Sequence, residues 1–239
     1  MTSELRFPNT ALVYPEGRPI FGCLPRVSKF GELCGLASEH IKLIPRDQWD
    51  ELAAEISIRP MVTKIKDQNG NNSCATESTT QATEISRHFA GLPFVELNPL
   101  FIYHTTSHGR DNGSSIDENL AFARDNGIAP EAIWPRSKGF KAEPSAEAWE
   151  AAKAFKIVEF YDVASIDEGV SGLLTGWSWV YGANGHSVVK IQHLNDREGL
   201  DANSWGLSWG DQGFGVWARY NQISFQSGGF LVRTSTETK

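Results

Sequence analysis

Asn203-Ser204-Trp205-Gly206-Leu207-Ser208-Trp209-Gly210-Asp211-Gln212-Gly213-Phe214-Gly215 is the stretch on which the fold is read. It packs two Trp-Gly pairs into six residues, a density that the period-2 alternation of a strand does not explain. Seventeen residues before Asn203 stands His186, inside Gly185-His186-Ser187-Val188-Val189, at the start of an apolar strand-like run. Much earlier come Lys66-Asp67-Gln68, a Gly/Asn-rich loop, and Ser73-Cys74-Ala75 opening a helical segment.

Those residue types are what an acyl-transfer site needs. A thiolate is the nucleophile, and a helix N-terminus favours it through oriented N–H groups and the helix dipole. A histidine takes the thiol proton and returns it to the leaving amine. A third group must hold the imidazole, and a neutral amide suffices. A glutamine N–H beside the backbone N–H of the nucleophile can stabilise a tetrahedral oxyanion, a donor worth roughly 3–4 kcal/mol.

On these segments the chain resembles the papain-like cysteine peptidases. Val62 to Ala75 (VTKIKDQNGNNSCA) is similar to the family's nucleophile segment, GHSVV to its histidine strand, and NSWGLSWGDQGFGVW to its asparagine motif, the most specific of the three. Asn112-Gly113-Ser114 resembles the segment whose glycines line the substrate cleft, and Gly127-Ile128 to Trp134-Pro135 fits the loop that follows. The resemblance covers about 45–235. It implies Cys74 as nucleophile, His186 as base, Asn203 as orienting residue and Gln68 as oxyanion donor. It also implies Gly113, Ser114 and Gly185 at the substrate, and Trp205 shielding the Asn–His bond. The implied function is a cysteine endopeptidase acting on polypeptide through an acyl-enzyme, with no metal or organic cofactor. Two other readings stay open: a non-enzymatic structural or virion-associated protein on the same fold, and an amide hydrolase acting on cell-wall peptide.

Several features depart from the family. The cysteine that normally precedes the nucleophile as half of a disulfide is Asn71, and the tryptophan that normally follows it is Ala75. The separation from Cys74 to His186 is 112 residues (186 − 74), short of the roughly 130–150 usual in the family, so a trimmed second lobe is expected. The compact bacterial and bacteriophage members of the family are the nearest pattern.

Working outward, the expected architecture is α+β: a helical lobe over about 62–155, a β-barrel-like lobe over about 156–239, and the cleft between them. Helices are expected over 45–55, 74–91, from Asn98-Pro99, over 115–126 with Ser115 and Glu118 as a capping box, over 145–154, and from Ser165 to about Leu174. Strands are expected at Trp177–Tyr181, Ser187–His193, Gly213–Arg219 and Gly229–Arg233. Residues 1–44, with turns at Pro15-Glu16-Gly17, Gly31 and Gly35, read as an arm packed on the body. They are shorter and richer in turns than the helical inhibitory propeptides of the family, so activity without N-terminal processing is expected.

Composition agrees with a globular domain. Of 239 residues, 40% are hydrophobic and 21% charged, and 29 acidic against 22 basic residues give a net charge of −7. That balance is opposite to the one a nucleic-acid or anionic-membrane binder carries. No apolar run reaches the length of a membrane span, and Met1–Arg6 shows no basic-then-apolar export signal, so a cytoplasmic or virion-associated setting is expected. The three cysteines exclude a disulfide-dense scaffold; Cys23 and Cys34 are expected to be structural. His104 and His108 share a helical face, but no further ligand accompanies them, so no metal is expected. Asp201 is expected at the surface, and Asp117 and Asp211 in capping or turn roles.

Overall fold

The computed structural model describes residues 22–233. The turn expected at Pro15–Gly17 and the segment Met1–Arg6 lie outside the described residues. In chain order the elements are β1 (Cys23–Leu24), α1 (Ala37–His40), α2 (Trp49–Glu55), α3 (Cys74–Phe89), α4 (Pro99–Thr106), β2 (Ser114–Ser115) and α5 (Ile116–Asp125). Then follow α6 (Ala146–Ala152), β3 (Glu159–Asp162), α7 (Ile166–Leu173), β4 (Ser178–Ala183), β5 (His186–Asn195), β6 (Glu198–Ala202), β7 (Phe214–Gly215) and β8 (Gly229–Arg233). The α+β expectation holds.

The helix that matters most is α3, and its composition argues against it. Thr76, Thr79, Thr80 and Thr83 each cost about 0.5 kcal/mol of intrinsic propensity. Burial overrides this: every residue from Cys74 to Ser86 is buried. Three of the four hydroxyls find backbone partners on the helix or its cap, Thr76 donating to the Ser73 carbonyl, Thr79 to that of Ala75 and Thr83 to that of Thr79, while Thr80 Oγ1 is buried without one. The helix packs against β5, β4 and β8 on one side and against α4 and α5 on the other. It is the wall between the helical and stranded parts of the molecule.

The other helix starts follow their sequence signals. Asn98 Oδ1 accepts the Leu100 N–H with Pro99 at the first position, Ser145 caps α6, and Ser165 caps α7. At α5 the signal works differently: Ser115 Oγ donates to Glu118 Oε2 at 2.7 Å, and no side chain caps a backbone N–H. Gly127 ends that helical region at φ 84°, where a Cβ would meet the Ala152 carbonyl oxygen at 1.8 Å.

The main sheet runs β3-β8-β4-β5-β6-β7, antiparallel throughout. It is open, with β3 and β7 as its two edges, which corrects the barrel-like expectation. The expected strand Gly213–Arg219 shrinks to the two residues of β7, too short to carry the sheet round to β3. The β4–β5 hairpin turns tightly through Asn184 and Gly185 at φ 53° and 75°, and this turn delivers His186 to the start of β5. Two strands of this sheet carried no signal in the sequence. β3 is four residues long, and β6 contains Gly199 and Asp201, both poor strand formers.

Asp201 corrects an expectation. It is fully buried, its Oδ1 2.9 Å from Lys190 Nζ, itself fully buried. The partner on the neighbouring strand is what draws the carboxylate inside, because a buried charge persists only when paired. Among the described residues no helix is long and apolar enough to cross a membrane.

Candidate active site

Cys74 is the first residue of α3 and is fully buried. The amides of Ser187, Gly22 and Ala75 favour its thiolate, but burial outweighs them and pushes the thiol up to about 12. His186 is also fully buried, and burial lowers it to about 4 against the support of Asn203. In this state thiol and imidazole are therefore both neutral.

The histidine's tautomer follows from its neighbours. His186 Nε2 lies 2.7 Å from Asn203 Oδ1, and the same Oδ1 accepts the Ser204 backbone N–H at 2.7 Å. An oxygen that accepts from Ser204 is an acceptor towards the ring as well, so Nε2 carries the proton. The neutral ring then has its lone pair on Nδ1, which is buried and makes no hydrogen bond. Seventeen residues in sequence are spanned by adjacent strands: β5 and β6 pair through Val189 and Ala202, one step before Asn203.

Gln68 is held just as closely. Its Oε1 accepts from Ser204 Oγ at 2.9 Å and from Trp205 Nε1 at 3.1 Å, so Nε2 is turned to the other side, where it donates to the Asn71 carbonyl at 2.6 Å. Nε2 has a second hydrogen to give. Trp205 thus does two things: it fixes the Gln68 amide, and its ring covers His186 with centroids 4.7 Å apart. The Gln68 loop is pinned by backbone bonds to the asparagine segment, Gln68 N to Ser204 O at 2.9 Å and Gly206 N to Lys66 O at 3.0 Å.

Three supports were not visible in the sequence. Lys66 and Glu84 form a buried ion pair at 2.5 Å, and Glu84 also accepts the Leu97 N–H, tying the loop to α3. Arg136 spans from Glu77, fully buried on the first turn of α3, to the Asp67 carbonyl. Where the family has a disulfide beside the nucleophile, Asn72 bonds Asp111 twice, N to Oδ1 at 2.8 Å and Nδ2 to O at 2.7 Å. Tyr103 OH extends this to Gly113, donating to Asp111 Oδ1 and accepting the Gly113 N–H. Each support joins residues far apart in sequence, so spacing alone carried no trace of them.

Gly113, Ser114 and Gly185 meet at the cleft, and the cleft is filled by the chain itself. Ser114 N–H donates to Gly22 O and Cys23 N–H to Gly185 O, both at 3.0 Å, and β1 pairs in parallel with β2. Gly22 approaches so closely that a Cβ there would lie 2.0 Å from the Asn72 carbonyl oxygen. Cys23 is buried, and its thiol is pushed well up by burial and by the neighbouring Cys74. Further along, Asp117 accepts from Val27 N, Ser28 N and Ser28 Oγ. Burial opposes its charge, yet these donors hold its carboxyl below the usual range. Arg26 pairs with Asp162 at 2.5 Å with both side chains buried. The described part of the expected arm does pack on the body, and the place where it packs is the cleft, over Cys74. The glycine at 22 lets backbone enter where no side chain fits.

The remaining candidates sit elsewhere. Cys23, Cys34 and Cys74 are all free thiols. His104 bonds the Phe140 carbonyl and faces Glu143, while His108 faces Glu118. Among the described residues no group of three metal-ligating side chains gathers. Asp211 pairs with Arg59 at a turn beside β7.

Comparison with known proteins bears on the fold. No family model matches the chain. It is 27% identical to cathepsin L of Sarcophaga peregrina over 191 residues, 66% of this chain and 56% of that protein. The chain thus spans about half the length of that curated relative. Among solved structures it resembles xylellain, a cysteine protease from Xylella fastidiosa, with a TM-score of 0.68 at 18% identity, over 90% of this chain and 96% of that one. It also resembles digestive procathepsin L 3 of the Tenebrio molitor larval midgut, with a TM-score of 0.63 at 16% identity, over 74% and 69%. The fold is that of the papain-like cysteine proteases.

Proposed function

We propose that the chain is a cysteine endopeptidase working through Cys74, His186, Asn203 and Gln68, and that the arm, seated in the cleft, holds it latent, in place of the activity without N-terminal processing that the sequence suggested. The observation that carries this is the acceptor role of Asn203 Oδ1, which leaves His186 Nδ1 free to take a proton. When substrate replaces the arm, Nδ1 takes the Cys74 proton and the thiolate attacks the scissile carbonyl. The oxyanion forms against the Cys74 N–H and the spare hydrogen of Gln68 Nε2. His186 returns its proton to the leaving amine, and a water activated by the same ring then hydrolyses the thioester.

The arm also supports polypeptide as substrate over the cell-wall alternative. Ser114 N–H and the Gly185 carbonyl already engage extended backbone, and they read its amides whatever its side chains. The arm pairs in parallel with β2 through this site. An intact, oriented His–Asn pair likewise favours an enzyme over a purely structural protein.

The test uses an epoxide thiol probe on full-length protein and on the Gly22→Val variant, whose side chain has no room in the cleft. Labelling of Cys74 in the variant, abolished by His186→Ala, is expected. An inert Cys74 in Gly22→Val with the fold intact contradicts the proposal.

A further inference from the structure

Trp217 is a second aromatic wall against the imidazole, and the roles above leave it unused. Its ring meets His186 edge-on, centroids 4.9 Å apart and planes at 70°, while Trp205 covers the ring from another direction. The two indoles are nearly perpendicular to each other at 79°, so they bracket the imidazole from two sides. Trp217 is fixed in turn at both ends. Its Nε1 donates to the Ala183 carbonyl at 3.0 Å, and Ala183 is the residue opposite His186 in the β4–β5 ladder. Its backbone N–H donates to Asp201 Oδ2 at 2.9 Å.

That second contact gives the buried Asp201–Lys190 pair something to do. Asp201 Oδ2 also accepts from Tyr181 OH at 3.0 Å, and Lys190 lies over the Tyr181 and Tyr220 rings. Taking such a pair out of water is costly, and hydrophobic residues would often serve stability as well. What hydrophobic residues cannot supply is a fixed acceptor for the Trp217 N–H.

We propose that Trp217, anchored by Asp201 and Ala183, is a positioning residue that sets the plane of the His186 ring and keeps water from its bond to Asn203. Torsion about a histidine ring is soft, and one hydrogen bond at Nε2 leaves the ring free to swing about that bond. Two flat surfaces at a steep angle remove that freedom. They also remove the water that would compete for Asn203 Oδ1. The inference rests on the reading of His186 as the base, but its test needs neither turnover nor the thiol.

The test follows the His186 Nε2 proton by NMR in the full chain, assigned with His186→Gln. Wild type is expected to show a slowly exchanging imidazole proton. Trp217→Ala is expected to speed its exchange at least about tenfold and to move the ring's titration midpoint up towards the ordinary value near 6.5. Trp217→Phe keeps a ring but loses the Ala183 anchor, and about fivefold faster exchange is expected. Folded Trp217→Ala with unchanged exchange and midpoint overturns the proposal; should that variant not fold, an unchanged Trp217→Phe does so. An inert Cys74 alongside the expected exchange result would remove the peptidase function and leave the positioning of His186 standing.

Discussion

Gln68 shows how finely one side chain is set. Two donors on Oε1 and one acceptor on Nε2 fix its amide, leaving one N–H uncommitted. Its replacement by alanine in an arm-displaced background is expected to lower kcat by about 10²–10³-fold with little change in KM, as loss of one oxyanion donor does; steady-state kinetics on a peptide substrate check this. His186 makes a pH prediction. Burial lowers its folded value to about 4, below the ordinary 6.5, so the unfolded chain binds more protons between those values. Its contribution to stability is complete above about pH 6.5 and is lost as pH falls towards 4. Urea midpoints across that window should fall less steeply in His186→Gln than in wild type. That Gln68, His186 and Asn203 come together was legible in sequence because they sit in short ordered motifs. Asp201 was not: nothing local distinguishes it from a surface aspartate, and its burial depends on Lys190 of the adjacent strand.

At the scale of elements, the arm is the part whose anchoring decides behaviour. Arg26 and Asp162 form a buried pair, and removing one partner of such a pair costs about 3–5 kcal/mol because the other charge is stranded. Asp162→Ala should therefore both lower stability by about that amount in chemical denaturation and expose the arm to limited proteolysis. The Thr-rich α3 shows why helix propensity was a poor guide here, while its start at Cys74 was readable from the Ser-Cys segment. The short β3 and β6 escaped notice because they are strands by pairing rather than by composition. The course of the arm escaped for a similar reason. Its turn-rich sequence suggested packing, but the glycine at 22 that admits it to the cleft means something only beside Asn72 and Gly113.

For the whole molecule, the fold joins a helix that presents a thiol to a sheet that presents an imidazole, and a segment of the same chain closes the space between them. The neutral thiol and imidazole are consequences of that closure as much as of the motifs, since burial raises one and lowers the other. Opening the cleft admits water and should bring the two values together, turning an inert pair into a reactive one. The pH dependence of Cys74 alkylation, read by mass spectrometry in full-length wild type and in Gly22→Val, tests this most directly. The account predicts slow labelling in wild type and labelling at least about tenfold faster near neutral pH in the variant, lost again with His186→Ala. Equal, slow labelling of folded wild type and Gly22→Val at every pH would contradict it.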